Sequence, residues 1–207
     1  SYNLIYLYMV KKINCLGYII IFFVVISILK IYFDTDVFHL KCIISSEDGN
    51  KYCVRERSKL ELAANLLART TQKLKKLVAH MKGKYPERDN VKRLVNGFNP
   101  KRVNETLPTS EYTAYSENKG EKLAFCLNTT KNGNTLIDEN TLMFVAIHEV
   151  AHIMTKSIGH KPEFWNNMKF LLENGKEIGV YQPEDYKKKP RSYCGMKITD
   201  NPYYDLD

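Results

Sequence analysis

The 207-residue chain has no acidic residue before Asp34, no two cysteines spaced CxxC, no internal repeat and no low-complexity tract. The missing CxxC spacing excludes a zinc site built from paired cysteines. The missing repeat excludes a solenoid or propeller array. Strong charge of one sign is also lacking. The formal net charge is +8, and three of those charges (Lys11, Lys12, Lys30) lie in the acid-free first 33 residues, leaving five for the rest. An excess of that size is compatible with nucleic acid or acidic lipid as a partner but calls for neither, because solvated surface lysines account for it. With 44% hydrophobic and 26% charged residues, the composition is that of a folded chain. Its length suffices for one ordinary domain plus an extra segment.

That extra segment is KKINCLGYIIIFFVVISILKIYF, residues 11–33. No charge occurs from Leu16 to Leu29, and the stretch reaches the ~20 residues that a bilayer requires. Lys30, near one end, can snorkel. No Ala-x-Ala cleavage pattern follows, so a retained single-pass anchor over about 13–33 is expected rather than a signal peptide. Lys11 and Lys12 precede it and Asp34 and Asp36 follow. The N-terminus is then expected in the cytosol and the remainder, 34–207, in the lumen or outside the cell. Met9 is an alternative start that would leave residues 1–8 upstream of the protein. Apart from Cys15 in the apolar run, Cys42, Cys53, Cys126 and Cys194 form an even set for which that topology permits disulfides. Cys42 and Cys53 flank a single turn and are the first pair to examine. Asn104-Glu-Thr and Asn128-Thr-Thr are glycosylation sequons in the same topology.

In the larger part, LKCIIS and KYCVRER surround an Asp-Gly turn and read as two short strands. Apolar residues from Leu60 to Met81 recur at helical spacing, closed by Gly83 and Pro86. A shorter helix is expected over 89–96 and loop over 99–121, with the runs 111–116 and 121–128 forming a hairpin. Asp138 is the expected N-cap of a helix running to about 157. Pro162 should open another, to about 174, with Gly175 as its stop. The tail beyond 177 reads as irregular with one short strand, and its basic run 187–191 as solvated.

The chemistry concentrates on the helix after Asp138. His148 and His152, four residues apart, project from one face, so two imidazoles can reach one metal ion. Glu149 lies ~100° around the axis, out of line for ligation but within reach of a metal-bound water. This is the HExxH arrangement, with the glutamate as general base. Leu142, Val145, Ala146, Ile147, Val150, Ala151, Ile153 and Met154 make the surroundings apolar. A third ligand should follow the helix. Gly159 lets the chain turn so that His160 folds back, while Glu163 in the next helix is its rival. His39 is distant in sequence, and His80 reads as an ordinary exposed helix residue.

The segment HEVAHIMTKSIGHKPEFW resembles the motif of small zinc peptidases of the WLM and SprT type, most strongly over 138–175. The remainder, including DGNKYCVRER and SYCGM, resembles uncharacterised WLM-like proteins of large DNA viruses. The spacing between His152 and His160 is longer than in WLM sequences and shorter than in SprT ones. The resemblance implies His148, His152 and His160 as zinc ligands and Glu149 as the base. It implies an α+β fold, a zincin of the minigluzincin kind, with a small antiparallel sheet packed on the HExxH helix and an edge strand that takes the substrate as an added strand. The 111–128 hairpin is the expected edge. Tyr112, Tyr115, Tyr181 and Tyr193 are the candidate oxyanion donors.

The expected function is therefore a membrane-tethered zinc metallopeptidase acting on peptide or protein substrates. Two alternatives stand beside it: a non-catalytic, zinc-stabilised binding module on an anchor, and a DNA-associated protease of the WLM/SprT type.

Overall fold

The computed structural model describes residues 2–34 and 40–205, with side chains for 15–31 and 40–205. The chain divides into two units, Ser1–Phe38 and His39–Asp207. The first contains one helix, α1 (Tyr2–Asp34). Among the described residues no helix is long and apolar enough to cross a membrane. The uncharged run between Lys12 and Lys30 spans about 25 Å at ~1.5 Å per residue, short of the ~30 Å hydrocarbon layer. The expected transmembrane helix is therefore corrected to a helix that does not meet the length of a span. The single-pass localisation is withdrawn with it.

The second unit is α+β. Strands β1 (Leu40–Ile44) and β2 (Lys51–Arg55) form an antiparallel pair. Gly49 turns between them at φ +70°, and Asp48 accepts from the Asn50 backbone N–H at 3.0 Å. Cys42 faces Cys53 in that register and the two are bonded. Helix α2 (Leu60–Lys84) buries one stripe, including Leu67, Leu74, Leu77 and Met81, and runs past the expected glycine stop to Lys84. Helix α3 (Asp89–Gly97) follows. His80 is less exposed than expected for a bystander: its side chain is 21% accessible and its Nε2 lies 3.1 Å from Asn174 Oδ1.

Three strands make the sheet that serves the site: β3 (Val103–Glu105), β4 (Ala114–Glu117) and β5 (Lys122–Phe125), in the order β3-β5-β4. β4 and β5 are the expected antiparallel hairpin. β3 runs parallel to β5, so the sheet is mixed rather than antiparallel. Only three residues long, β3 carries no readable alternation, and its place is set by Glu105. That carboxylate is fully buried between Arg55 and Arg57. It accepts from the Arg55 backbone N–H at 2.7 Å and pairs with the Arg57 guanidinium. Arg55 also donates to the carbonyls of Thr106 and Lys131 at 2.7 and 2.6 Å. Arg57 donates to Asn128 Oδ1 at 2.6 Å, so the Asn128 sequon is closed by burial.

Helices α4 (Glu139–Met154) and α5 (Pro162–Glu177) complete the core. The tail is more ordered than its sequence suggests. Strands β6 (Arg191–Tyr193) and β7 (Met196–Ile198) form a hairpin, followed by a 3-10 turn at Pro202–Tyr204. A second disulfide, Cys126–Cys194, joins that hairpin to the end of β5 across 68 residues of sequence.

Removing one partner of a buried ionic cluster leaves the other charges without compensation, at a cost of about 3–5 kcal/mol. Glu105→Ala, which strands two guanidinium groups, is expected to lower unfolding free energy by that amount in a denaturant titration. A loss below about 1 kcal/mol would show that the cluster does not anchor β3.

Candidate metal centre

Helix α4 starts where Asp138 accepts from the Thr141 backbone N–H at 2.9 Å and from its hydroxyl at 2.7 Å. Its interior is apolar on nearly every side, and Ala146, Ile147, Val150 and Ala151 are fully buried. Thr155 ends it, earlier than expected. Its last carbonyls are held by two basic side chains. Arg93 donates to the Met154 carbonyl at 3.0 Å, and Lys119, in the β4–β5 turn, donates to the Thr155 carbonyl at 2.9 Å. That turn approaches closely because Gly120 lies at φ +104°. A Cβ there would sit 2.3 Å from the Gly97 carbonyl oxygen and 2.6 Å from Ile153.

The structure brings His148, His152 and His160 together, with ligand atoms within 4.8 Å of one another. His148 Nε2 is 3.3 Å from His152 Nε2 and 3.0 Å from His160 Nε2. Nitrogens bound to one tetrahedral ion at ~2.0–2.1 Å lie roughly 3.3 Å apart, so the spacing fits a metal. Hydrogen bonding alone does not satisfy the cluster. An imidazole nitrogen holds either one proton or one in-plane lone pair, and His148 Nε2 faces two neighbours. The donor set, three imidazoles, suits zinc and other borderline divalent metals.

Gly159 adopts φ +80° and returns His160 to the cluster, as its sequence context suggests. Phe164, fully buried, forms the floor, its ring 4.8, 4.3 and 4.7 Å from those of His148, His152 and His160. Trp165 stacks on His160 at 5.5 Å. The rival ligand Glu163 has other work. Its two carboxylate oxygens accept from the backbone N–H groups of Lys156 and Ser157 at 3.0 Å each, and Arg93 lies 3.6 Å away. Those bonds, the Lys156 N–H first, hold its pKa down to about 2. Glu163 thus clasps the loop that delivers His160.

Burial pushes the His148 imidazolium down to about 3, with smaller contributions from His152 and His160. It pushes His152 down to about 4, with help from His160 and Lys119. Both rings therefore present lone pairs at neutral pH. Glu149 is 6% exposed, and burial alone raises its carboxyl to about 7.

An open cleft of about 1110 Å³ lies over the cluster. β4 and Tyr112 form part of one wall, and Met196 and Ile198 of β7 part of another. Among the candidate oxyanion donors, Tyr112, Tyr115 and Tyr193 line the cleft. The Tyr193 hydroxyl is occupied, donating to the Thr113 carbonyl at 3.0 Å and accepting from the Cys126 N–H at 3.1 Å. Tyr181 is buried against Phe144 and accepts from Asn201 at 2.8 Å, away from the cleft. Lys119, the clasp made by Glu163 and the wall formed by β7 are not foreshadowed by any motif in the sequence. Lys119 alone left a trace, as the middle of a tight Asn-Lys-Gly turn.

No family model matches the chain, and no solved structure matches it. It is similar to proteins of large DNA viruses. An uncharacterised protein of Acanthamoeba polyphaga mimivirus is 27% identical over 163 residues, covering 76% of this chain and 82% of the relative. Uncharacterised proteins of Invertebrate iridescent virus 6 and Invertebrate iridescent virus 3 are 31% and 39% identical over 75 and 61 residues. Those matches cover 41% and 36% of the two iridescent-virus proteins. The viral resemblance is therefore supported at the level of uncharacterised viral relatives.

The displaced pKa values set a pH dependence for the metal-free protein. Below about 6.5 the unfolded chain protonates His148 and His152 while the folded one does not, which lowers stability as pH falls. Glu149 opposes this between about 7 and 4.5, because the folded carboxyl holds its proton longer. The net is one proton taken up on unfolding, ~1.4 kcal/mol per pH unit before discounting for the half-exposed His152. Chelated protein is expected to lose about 1 kcal/mol per unit from pH 6.5 to 4.5 in urea titrations, and Glu149→Gln to steepen that slope. A flat profile would contradict the buried, uncharged cluster.

Proposed function

We propose that the chain is a zinc metallopeptidase that hydrolyses peptide bonds, of the WLM/SprT kind in its active-site chemistry. The observation that carries this reading is the convergence of three imidazole Nε2 atoms beside a buried carboxylate at the floor of an open cleft. His148, His152 and His160 would hold the ion, which when bound supplies a Lewis acid and activates water at neutral pH. Glu149 follows His148 on the same buried helix. With its pKa near 7 in the metal-free protein it is suited to accept a proton from the attacking water and return it to the leaving amine. Phe164 excludes water from beneath the rings and fixes their planes. β4 is paired only on its β5 side among the described strands, so its outer edge offers backbone groups to an extended substrate. Tyr112 and Tyr115, on that side of the cleft, are the available hydroxyls for the developing oxyanion.

The rival is a module that holds metal only for stability. Glu149→Gln separates the two. The variant is expected to bind one zinc per chain, as the parent does, while peptide hydrolysis falls by about 10²–10⁴-fold. Equal cleavage by parent and variant, or none by the zinc-loaded parent on a peptide library, would sink the peptidase reading.

The ligand assignment has its own check. His160→Ala is expected to abolish stoichiometric zinc at micromolar metal. Glu163→Ala should keep the site but weaken it about 10–100-fold, as loss of an orienting partner does. If Glu163→Ala loses the metal and His160→Ala keeps it, the two roles are reversed.

A further inference from the structure

The cleft has a second wall that no part of the HExxH reading requires. Among the described strands β7 is paired only with β6, and Met196 and Ile198, two residues apart on one face, both line the cleft. Thr113, just before β4, reaches across to Met196, with 3.5 Å between its Oγ1 and the sulfur. The opening over the histidines is thus bounded by two strands, each with an edge that no described strand covers.

Large apolar side chains gather around that opening. Ile158 is 85% exposed, Tyr112 66%, Met196 50% and Trp165 40%, and all four line the same cleft. Exposed apolar residues are ordinary singly, but a contiguous group at a concave site marks a binding surface. The charged groups nearby are already engaged. Lys119 donates to the carbonyls at the end of α4, and Asp200 and Asp205 are paired with Lys187 at 3.1 and 3.3 Å. The groove therefore offers strand edges and apolar side chains, with Lys119, Asp200 and Asp205 each already bonded within the protein. The occupant that complements it is an extended polypeptide segment with an uncharged, apolar side chain opposite β7.

We propose that the β6–β7 hairpin is a specificity element, and that it selects extended peptides bearing a large apolar residue, leucine, methionine or phenylalanine, against Met196 and Ile198. This deepens the peptidase reading and rests on it for the catalytic outcome, though not for binding. The hairpin is fixed to the rest of the site by the Cys126–Cys194 disulfide and by backbone N–H groups of Cys194 and Gly195, which donate to the carbonyls of Asn128 and Thr129 at 2.9 and 3.0 Å. A wall held this firmly can discriminate between side chains.

Trp165 is the only tryptophan in the chain and lies in the cleft, so its fluorescence reports occupancy. Zinc-loaded Glu149→Gln protein would be titrated with octapeptides that differ at one central position, leucine or phenylalanine against serine or aspartate. The apolar peptides are expected to bind about 10–100-fold more tightly, the range that burying one such side chain confers. Adding Met196→Glu should remove most of that preference while zinc content stays at one per chain. Equal affinity for all peptides, or a preference that survives both Met196→Glu and Ile198→Glu, would overturn the proposal. Preferential binding without cleavage by the zinc-loaded parent would leave the hairpin's role standing and remove the peptidase. Cleavage by the parent with no preference for apolar residues would do the reverse.

Discussion

Three imidazole nitrogens pointed at one another are an unfavourable arrangement unless something positive lies between them. Much of the site can be understood as holding that arrangement in place. Phe164 supplies a floor that water cannot enter, Gly159 supplies the backbone turn, and Glu163 clasps the connecting loop through two N–H groups. Arg93 serves both ends of this device, donating to the last carbonyl of α4 and lying beside the Glu163 carboxylate. These supports fix the three rings from below, behind and along the chain, which limits the positions their nitrogens can take.

The scaffold behind it uses polar means as much as apolar ones. A strand of three residues cannot be held by its own ladder, and β3 is secured by a buried carboxylate between two guanidinium groups. The two disulfides act at different ranges. Cys42–Cys53 reinforces a hairpin already paired, whereas Cys126–Cys194 attaches the tail to the sheet. Such bonds persist where thiols are not kept reduced.

What could be read from the sequence follows from what kind of signal each element leaves. α2 has an apolar stripe at helical period, α4 has a capping aspartate before its apolar run, and α5 opens on Pro162. The placement of His160 was legible because a glycine before it and a proline after it leave few paths for the chain. Cys42–Cys53 was legible because both residues flank one turn. The Cys126–Cys194 bond was not, since nothing local joins positions so far apart. Nor was β3, because its pairing with Arg55 and Arg57 joins residues about fifty apart in sequence. The apolar N-terminal run misled for a different reason. Hydropathy registers residue type, but a bilayer also requires length between flanking charges, and Lys12 and Lys30 stand too close. Among the tyrosines, sequence offered four equivalent hydroxyls, and burial of Tyr181 and Tyr193 divided them.

The paired glycines at 97 and 120 carry a consequence for spacing. With the Gly97 carbonyl in the space a Cβ of Gly120 would occupy, α3 and the β4–β5 turn meet backbone to backbone, and the Ile153 side chain of α4 packs against both glycines. The turn that carries Lys119 is thereby set at a fixed height over the end of α4, so any residue larger than glycine at either position would lift it from the carbonyls it caps.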